Sequence, residues 1–245
     1  MRRTRQRIVR GAREDDPDYG IVLLIYDIGY QSRAVAKWMD FRAGTFEENG
    51  PTLWFTRGGA GLSGEMELAP PRGDSMVNAI PFRRATRFVY AQKINCMVPD
   101  GRVRMGSDVY SFSPGNHSYG CLDWSRAAFP YHVEWRWCTA SGAVGGVPFG
   151  LNIDYGFGTE SSKSMIFHDN VGHHLDKARY TFDRADPMEA WIFTDDDNRV
   201  DLMLKPVCIE RGGMNYVVLR TSLQKAYGFF TVRVRLDNGR WIEIN

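Results

Sequence analysis

Apolar side chains in Val147–Tyr155 fall on every second residue, and that period constrains the fold more than any other feature. Val147, Phe149, Leu151, Ile153 and Tyr155 share one face, while Gly150, Asn152 and Asp154 take the other. A strand alternates faces at each residue, whereas a helix returns to one face every about 3.6 residues, so this segment reads as extended. The pattern recurs in Tyr131–Trp137, where Tyr131, Val133, Trp135 and Trp137 alternate with His132, Glu134 and Arg136. It returns in Phe230, Val232, Val234 and Leu236, before Asp237-Asn238-Gly239 supplies a hairpin turn into Trp241–Ile244.

From residue 19 onward, short apolar runs are broken by Gly, Pro, Asn and Asp, the texture of a sandwich or barrel. Strands are expected at Tyr19–Ile28, Ala34–Phe41, Thr52–Thr56, Gly64–Leu68, Ala85–Met97, Arg102–Phe112 and Gly120–Trp124. They continue at Tyr131–Thr139, Val147–Tyr155, Lys163–His168, Ala178–Phe182 and Ala190–Thr194. The last are Val200–Cys208, Tyr216–Ser222, Phe229–Leu236 and Arg240–Ile244. Only Gln31–Asp40 fits a short helix, and Val35-Ala36-Lys37-Trp38 fits a strand nearly as well. The expected fold is all-β and antiparallel, a barrel or a paired barrel or sandwich, with little helix.

With 245 residues, 43% of them hydrophobic, the chain can bury one large core. Pro70-Pro71 and Pro114-Gly115 read as loops, because strand texture resumes at once. One β-rich domain over 19–245 is expected, with barrel-like halves near 19–115 and 116–245 as its internal division. Arg2, Arg3, Arg5, Arg7, Arg10 and Arg13 crowd the start, and Glu14, Asp15, Asp16 and Asp18 follow. We read residues 1–18 as a disordered basic leader rather than an arm for nucleic acid or an anionic membrane.

A formal charge of +2 implies no nucleic-acid partner. Ile21–Ile25 is too short for a secretory signal, and no apolar run reaches the roughly 18 residues of a transmembrane segment. The cysteines at 96, 121, 138 and 208 form no CxxC pair and no zinc spacing. They read as reduced, buried thiols of a cytoplasmic protein.

Leu122-Asp123-Trp124-Ser125-Arg126, Phe129-Pro130-Tyr131, Trp135, Trp137, Ala140-Ser141-Gly142, Gly150-Leu151-Asn152 and Gly156-Phe157-Gly158 together resemble the family called domain of unknown function 2804. The resemblance continues through Lys93, Asp186-Pro187-Met188, Trp191, Arg199-Val200-Asp201-Leu202, Pro206, Leu219-Arg220 and Tyr227-Gly228, and covers roughly residues 19 to 245. That family is itself uncharacterised. In texture it is similar to lipocalin-like carotenoid hydratase and hydroxysteroid-type proteins, whose β-barrel halves enclose apolar ligands, and it implies a lipocalin-like barrel here. Fold alone does not fix function.

This chain departs from its relatives in several places. Gln92 and Gln224 stand where relatives often carry His, and Lys163-Ser164-Met165 replaces a Thr-Glu-Asn run. An activity resting on those positions would be lost or altered here. Relatives extend beyond both ends, so the barrel is expected to lack closing strands. An exposed edge, above all at Tyr19–Ile28, would then favour a homodimer or aggregation.

The leading ligand-binding candidates are Asp123, Trp124 and Arg126, with Trp135 and Trp137 as apolar walls and Tyr131, Tyr155 and Glu160 around them. Asp123 and Arg126 would pair, leaving one charge to orient a ligand in a mostly apolar pocket. The competing reading is a structural Asp–Arg pair closing a turn beneath an aromatic core. Glu134, Asp154 or Glu160 would serve as second carboxylate to Asp123, the arrangement a glycosidase or hydratase needs. Yet Glu134 and Asp154 lie opposite their strands' apolar faces, so solvent is their expected environment unless the polar face lines a barrel lumen.

His168, His173 and His174 flank Asp169-Asn170-Val171-Gly172, which is turn chemistry more than a metal site, and they are expected at the surface. No G-x-S-x-G is present, Gly156-Phe157-Gly158 opens no helix, and Gly58-Gly59-Ala60-Gly61 lacks the Lys-Ser/Thr of a phosphate loop. No cofactor and no metal are expected. Three functions fit: a binder of a lipid- or isoprenoid-like small molecule, a cofactor-free hydratase or isomerase on such a ligand, and a carbohydrate-binding or -cleaving protein. Whether the chain is an enzyme stays open at this point.

Overall fold

The computed structural model describes the backbone of residues 2–13, 20–28, 34–36, 53–57, 62–84, 86–157, 164–216 and 219–244. Side chains are described for 63–84, 86–104, 106–157, 164–213 and 221–244. The chain divides into two units, Met1–His174 and Leu175–Asn245. Among the described residues the only helix is a 3-10 turn at Pro114–Asn116, and every strand pair is antiparallel. The all-β expectation holds.

The strands are β1 Arg2–Arg13, β2 Gly20–Ile28, β3 Ala34–Ala36, β4 Leu53–Arg57, β5 Leu62–Ala69, β6 Met76–Pro81, β7 Phe88–Met105, β8 Asp108–Phe112 and β9 Gly120–Ala128. Then follow β10 Arg136–Val144, β11 Val147–Tyr155, β12 Ser164–His168 and β13 Val171–Leu175. The second unit holds β14 Arg179–Thr181, β15 Trp191–Thr194, β16 Val200–Tyr216, β17 Leu219–Arg235 and β18 Trp241–Ile244.

The first unit's larger sheet is organised by β7. One edge of β7 pairs with β6 and then β5, which lie end to end around the Pro70-Pro71 loop. Its other edge pairs with β9 and then β8, end to end around the 3-10 turn. β1 runs along the far side of the β8–β9 line, and β2 and β3 follow. Both interruptions flank a bulge in β7, where Asn95 and Cys96 face one residue of β9 and Cys96 takes a left-handed φ of 55°. A bulge bends a strand and re-aims its side chains. Here it turns Asn95 toward the smaller sheet, ordered β10-β11-β12-β13.

Several expectations are corrected. Arg2–Arg13 is strand β1, paired along both edges, and not a disordered leader. Backbone pairing needs no apolar sequence when strands flank it on both sides, so the arginines hid the strand. β2 pairs with β1 along Gly20–Ile28 and with β3 only at Ile25–Asp27. Ala34–Ala36 is a strand, and the rest of the Gln31–Asp40 segment lies outside the described residues. So do Glu14–Asp18, Gly58–Gly61 and Glu160. Tyr131–Trp135 is not strand; extended pairing begins at Arg136.

The second unit is the sheet β14-β15-β16-β17-β18. Leu202, Leu204, Val232 and Val234 are buried, while Asp201, Met203, Thr231 and Arg233 between them are exposed. Tyr180, Phe182, Trp191 and Phe193 form an aromatic cluster, with Phe182 and Trp191 stacked at 4.0 Å between centroids. The Asp237-Asn238-Gly239 turn closes β17 on β18 as expected, with Gly239 at a φ of 83°.

Candidate functional site

The register of β7 on β9 sets Lys93 directly across from Asp123, and β10 on β11 sets Trp137 across from Asp154. Directly opposed residues share a face of their sheet. These two faces meet inside the first unit. The Lys93 ammonium lies 3.3 Å from Asp123 Oδ2 and 3.6 Å from Asp154 Oδ2, and 4.4 Å from the centre of the Trp137 ring. Lys93 and Asp154 are buried, and the Asp123 side chain is 21% exposed.

A buried ion pair is costly to form and costly to break, because each charge has left water. This cluster carries two carboxylates against one ammonium. Burial pushes the Asp154 carboxyl above its ordinary value of 3.8, and the neighbouring Asp123 charge adds to the effect. Lys93 and a hydrogen bond with Asn78 pull the other way without cancelling it. Asp123 Oδ1 is buried with no hydrogen-bond partner among the described residues. Such an oxygen is an acceptor with nothing to accept from.

An amide network anchors the cluster. Asn152 Nδ2 donates to Asn95 Oδ1, and Trp137 Nε1 donates to Asn152 Oδ1 at 2.6 Å. The Asn95 amide nitrogen lies 2.8 Å from the Ala140 carbonyl oxygen and 3.0 Å from that of Leu151. The Cys96 N–H donates to Ser141 Oγ at 3.1 Å. Gly150 is required here, since a Cβ on it would sit 2.7 Å from Asn95 Cβ. The bulge thus fixes the Trp137 indole above Lys93.

Along the same inner face, Val89 packs with Ile80, Phe82 and Phe157. Trp135 stacks on Phe129 and Phe157 at 5.6 and 5.8 Å, and both phenyl rings touch Phe82. Val89 and Lys93 are four residues apart on one strand, roughly 13 Å. Between them the register leaves Ala91, with Ser125 across from it on β9 and Asn78 across from it on β6. An aromatic cluster and an ionic cluster thus lie along one face of the same sheet.

The expected site residues separate into groups. Asp123 and Trp137 belong to the ionic cluster, and Trp135 to the aromatic end. Trp124 and Arg126 lie on the opposite face of β9, where they line a groove with Tyr90. The expected Asp123–Arg126 pair does not form, because residues three apart on a strand point opposite ways. Tyr131 is 76% exposed, and Tyr155 sits under the Arg136 guanidinium. Asp154 is buried rather than solvent-facing, whereas Glu134 is exposed as expected. His168 and His173 are buried, against expectation, and His174 is exposed. Cys208 is exposed. No group of three or more His, Cys, Asp or Glu among the described residues has metal-site geometry.

Lys93, Asn78 and Asn95 escaped the residue-by-residue chemistry. The signals available for Lys93 were its place among the residues that carry the family resemblance and its position within an otherwise strand-like run, Ala91–Met97, since lysine is almost never fully buried without partners. No helix among the described residues is long and apolar enough to cross a membrane.

The family described as Domain of unknown function (DUF2804) matches residues 52–245. No curated protein matches the sequence. Solved structures similar in fold include these two. Kievitone hydratase from Nectria haematococca superposes with a TM-score of 0.56 over 98% of this chain and 86% of its own, at 10% identity. An AttH-type protein from Nitrosomonas europaea gives 0.51 over 92% and 89%, also at 10% identity. At this identity the likeness is one of fold alone, in keeping with the antiparallel all-β architecture.

Proposed function

The chain belongs to the DUF2804 family, and from the chemistry of its interior we propose a cofactor-free acid–base catalyst, a hydratase or isomerase acting on a small, largely apolar molecule. The observation that carries this is Lys93 buried between two carboxylates, one raised in pKa and the other with an orphaned oxygen. Strongly perturbed acids with a defined charge partner concentrate at functional sites. The similarity in fold to a hydratase is in keeping with this reading.

Asp123 is the member of the cluster that reaches outward, so it meets the ligand. Asp154 holds a proton more firmly than a surface aspartate, and Lys93 hydrogen-bonds between the two. In a hydration, a proton is delivered to one alkene carbon and water adds to the other. The proton that water sheds returns to the carboxylate pair, so charge and atoms balance without a cofactor. In an isomerisation the proton is instead withdrawn from a neighbouring carbon. The aromatic end, Phe82, Phe129, Trp135 and Phe157, would hold the ligand's apolar body.

A binder without catalysis is the second reading, favoured by how well that aromatic end is packed. A carbohydrate site is less well supported, because the Trp135 ring is already stacked against two phenyl rings. The test is incubation of the purified protein with a panel of apolar alkenes and enones in D2O, followed by mass spectrometry. Deuterium or one added water should appear with the wild type and disappear in Asp123→Asn. Products formed equally by Asp123→Asn would sink the assignment. Native mass spectrometry that captures an apolar molecule, with no turnover of any panel member, would leave the binder.

A further inference from the structure

The far side of β9 presents a second site, and we propose that it binds a small organic anion with an apolar ring body. A groove of about 620 Å³ opens there, lined by Ala79, Pro81, Phe88, Tyr90, Trp124 and Arg126 among others. That is within the usual range for small-molecule sites, roughly 300–1,000 Å³. It lies on the opposite face of the sheet from Asp123, so it is separate from the ionic cluster.

Its walls are apolar, with Tyr90 edge-on to Trp124 at 5.9 Å. One cationic side chain breaks that apolar lining. Arg126 Nε is buried and has no hydrogen-bond partner among the described residues. Arg126 nevertheless lines the groove, and a carboxylate is the group a guanidinium pairs with best. The register of β1 on β9 sets Arg3 across from Arg126 and Arg5 across from Trp124.

The recognised chemistry is therefore an aromatic carboxylate: the ring against Tyr90, Phe88 and Trp124, the carboxylate on Arg126. Isothermal titration of the full chain with naphthoate, and with naphthalenemethanol as its neutral counterpart, tests it. Wild type should bind naphthoate the more tightly. Arg126→Gln should weaken naphthoate by about tenfold or more and leave the alcohol unchanged. Ala79→Trp, which fills the groove, should abolish both while thermal melting confirms the fold. Asp123→Asn should leave both affinities as they were. No binding of naphthoate, equal binding of acid and alcohol, or an Arg126→Gln affinity like wild type would overturn the proposal. So would an equal loss in Asp123→Asn, which would put the anion in the ionic cluster instead.

Discussion

In β16 and β17 the residues between the apolar positions stand in water: Asp201, Thr231 and Arg233 are exposed. In β11 the residues in the same relation, Asn152 and Asp154, are as buried as Leu151 and Ile153 beside them. Met203 apart, both segments alternate in sequence. Alternation dictates which side chains travel together, because a strand has two faces. It does not say which face is wet. In β11 the polar face meets the bulged strand β7, whose Lys93 and Asn95 supply the partners that make its burial tolerable.

The comparison can be broken by removing one partner on each side. Lys93→Met leaves the buried Asp154 and the half-buried Asp123 without their cation, so a loss of about 3–5 kcal/mol in chemical denaturation at neutral pH is expected. Arg233→Met, on the wet face of the second unit, removes an exposed pair with Glu243 and should cost less than about 1 kcal/mol. Similar losses in the two variants would mean that the faces are not different in kind.

A smaller effect is expected at the amide network. Asn152→Leu takes away the acceptor of Trp137 Nε1 and the donor to Asn95, leaving polar groups unsatisfied in the interior. A cost of about 1–3 kcal/mol follows. Near-neutral behaviour would show that water reaches the network.

Some of this was legible and some was not. The extent of β11 and the turn at Asp237–Gly239 were readable, since each depends on local chemistry. The interior placement of Asp154 was not, because it depends on β7, more than fifty residues earlier in the chain. The bulge at Asn95-Cys96 has no glycine to betray its left-handed φ. Arg2–Arg13 carried the composition of a solvated leader, and only its partners make it a strand. In the candidate site, Asp123 and Trp137 were identified from sequence. Lys93, which joins them, could be placed only once the register was known.

The pH dependence sharpens the same contrast with a milder effect. The folded-state pKa of Asp154 lies above its ordinary value, so the native state holds the proton more tightly than the unfolded chain. That contribution to stability is fully present below the ordinary value of 3.8 and is lost as pH rises through the folded value. Melting temperatures of wild type and Asp154→Asn should therefore diverge as pH increases over this range, with wild type losing ground. Parallel curves would argue against a perturbed carboxyl.

The most direct measurement is the carboxyl ¹³C chemical shift of Asp154 followed by NMR across pH, assigned by its disappearance in Asp154→Asn. If the polar face of β11 is a buried ionisable centre, Asp154 will titrate above the range of surface aspartates, and the Asp123 signal will respond to the same transition. An Asp154 that titrates at its ordinary value, independently of Asp123, would contradict the account.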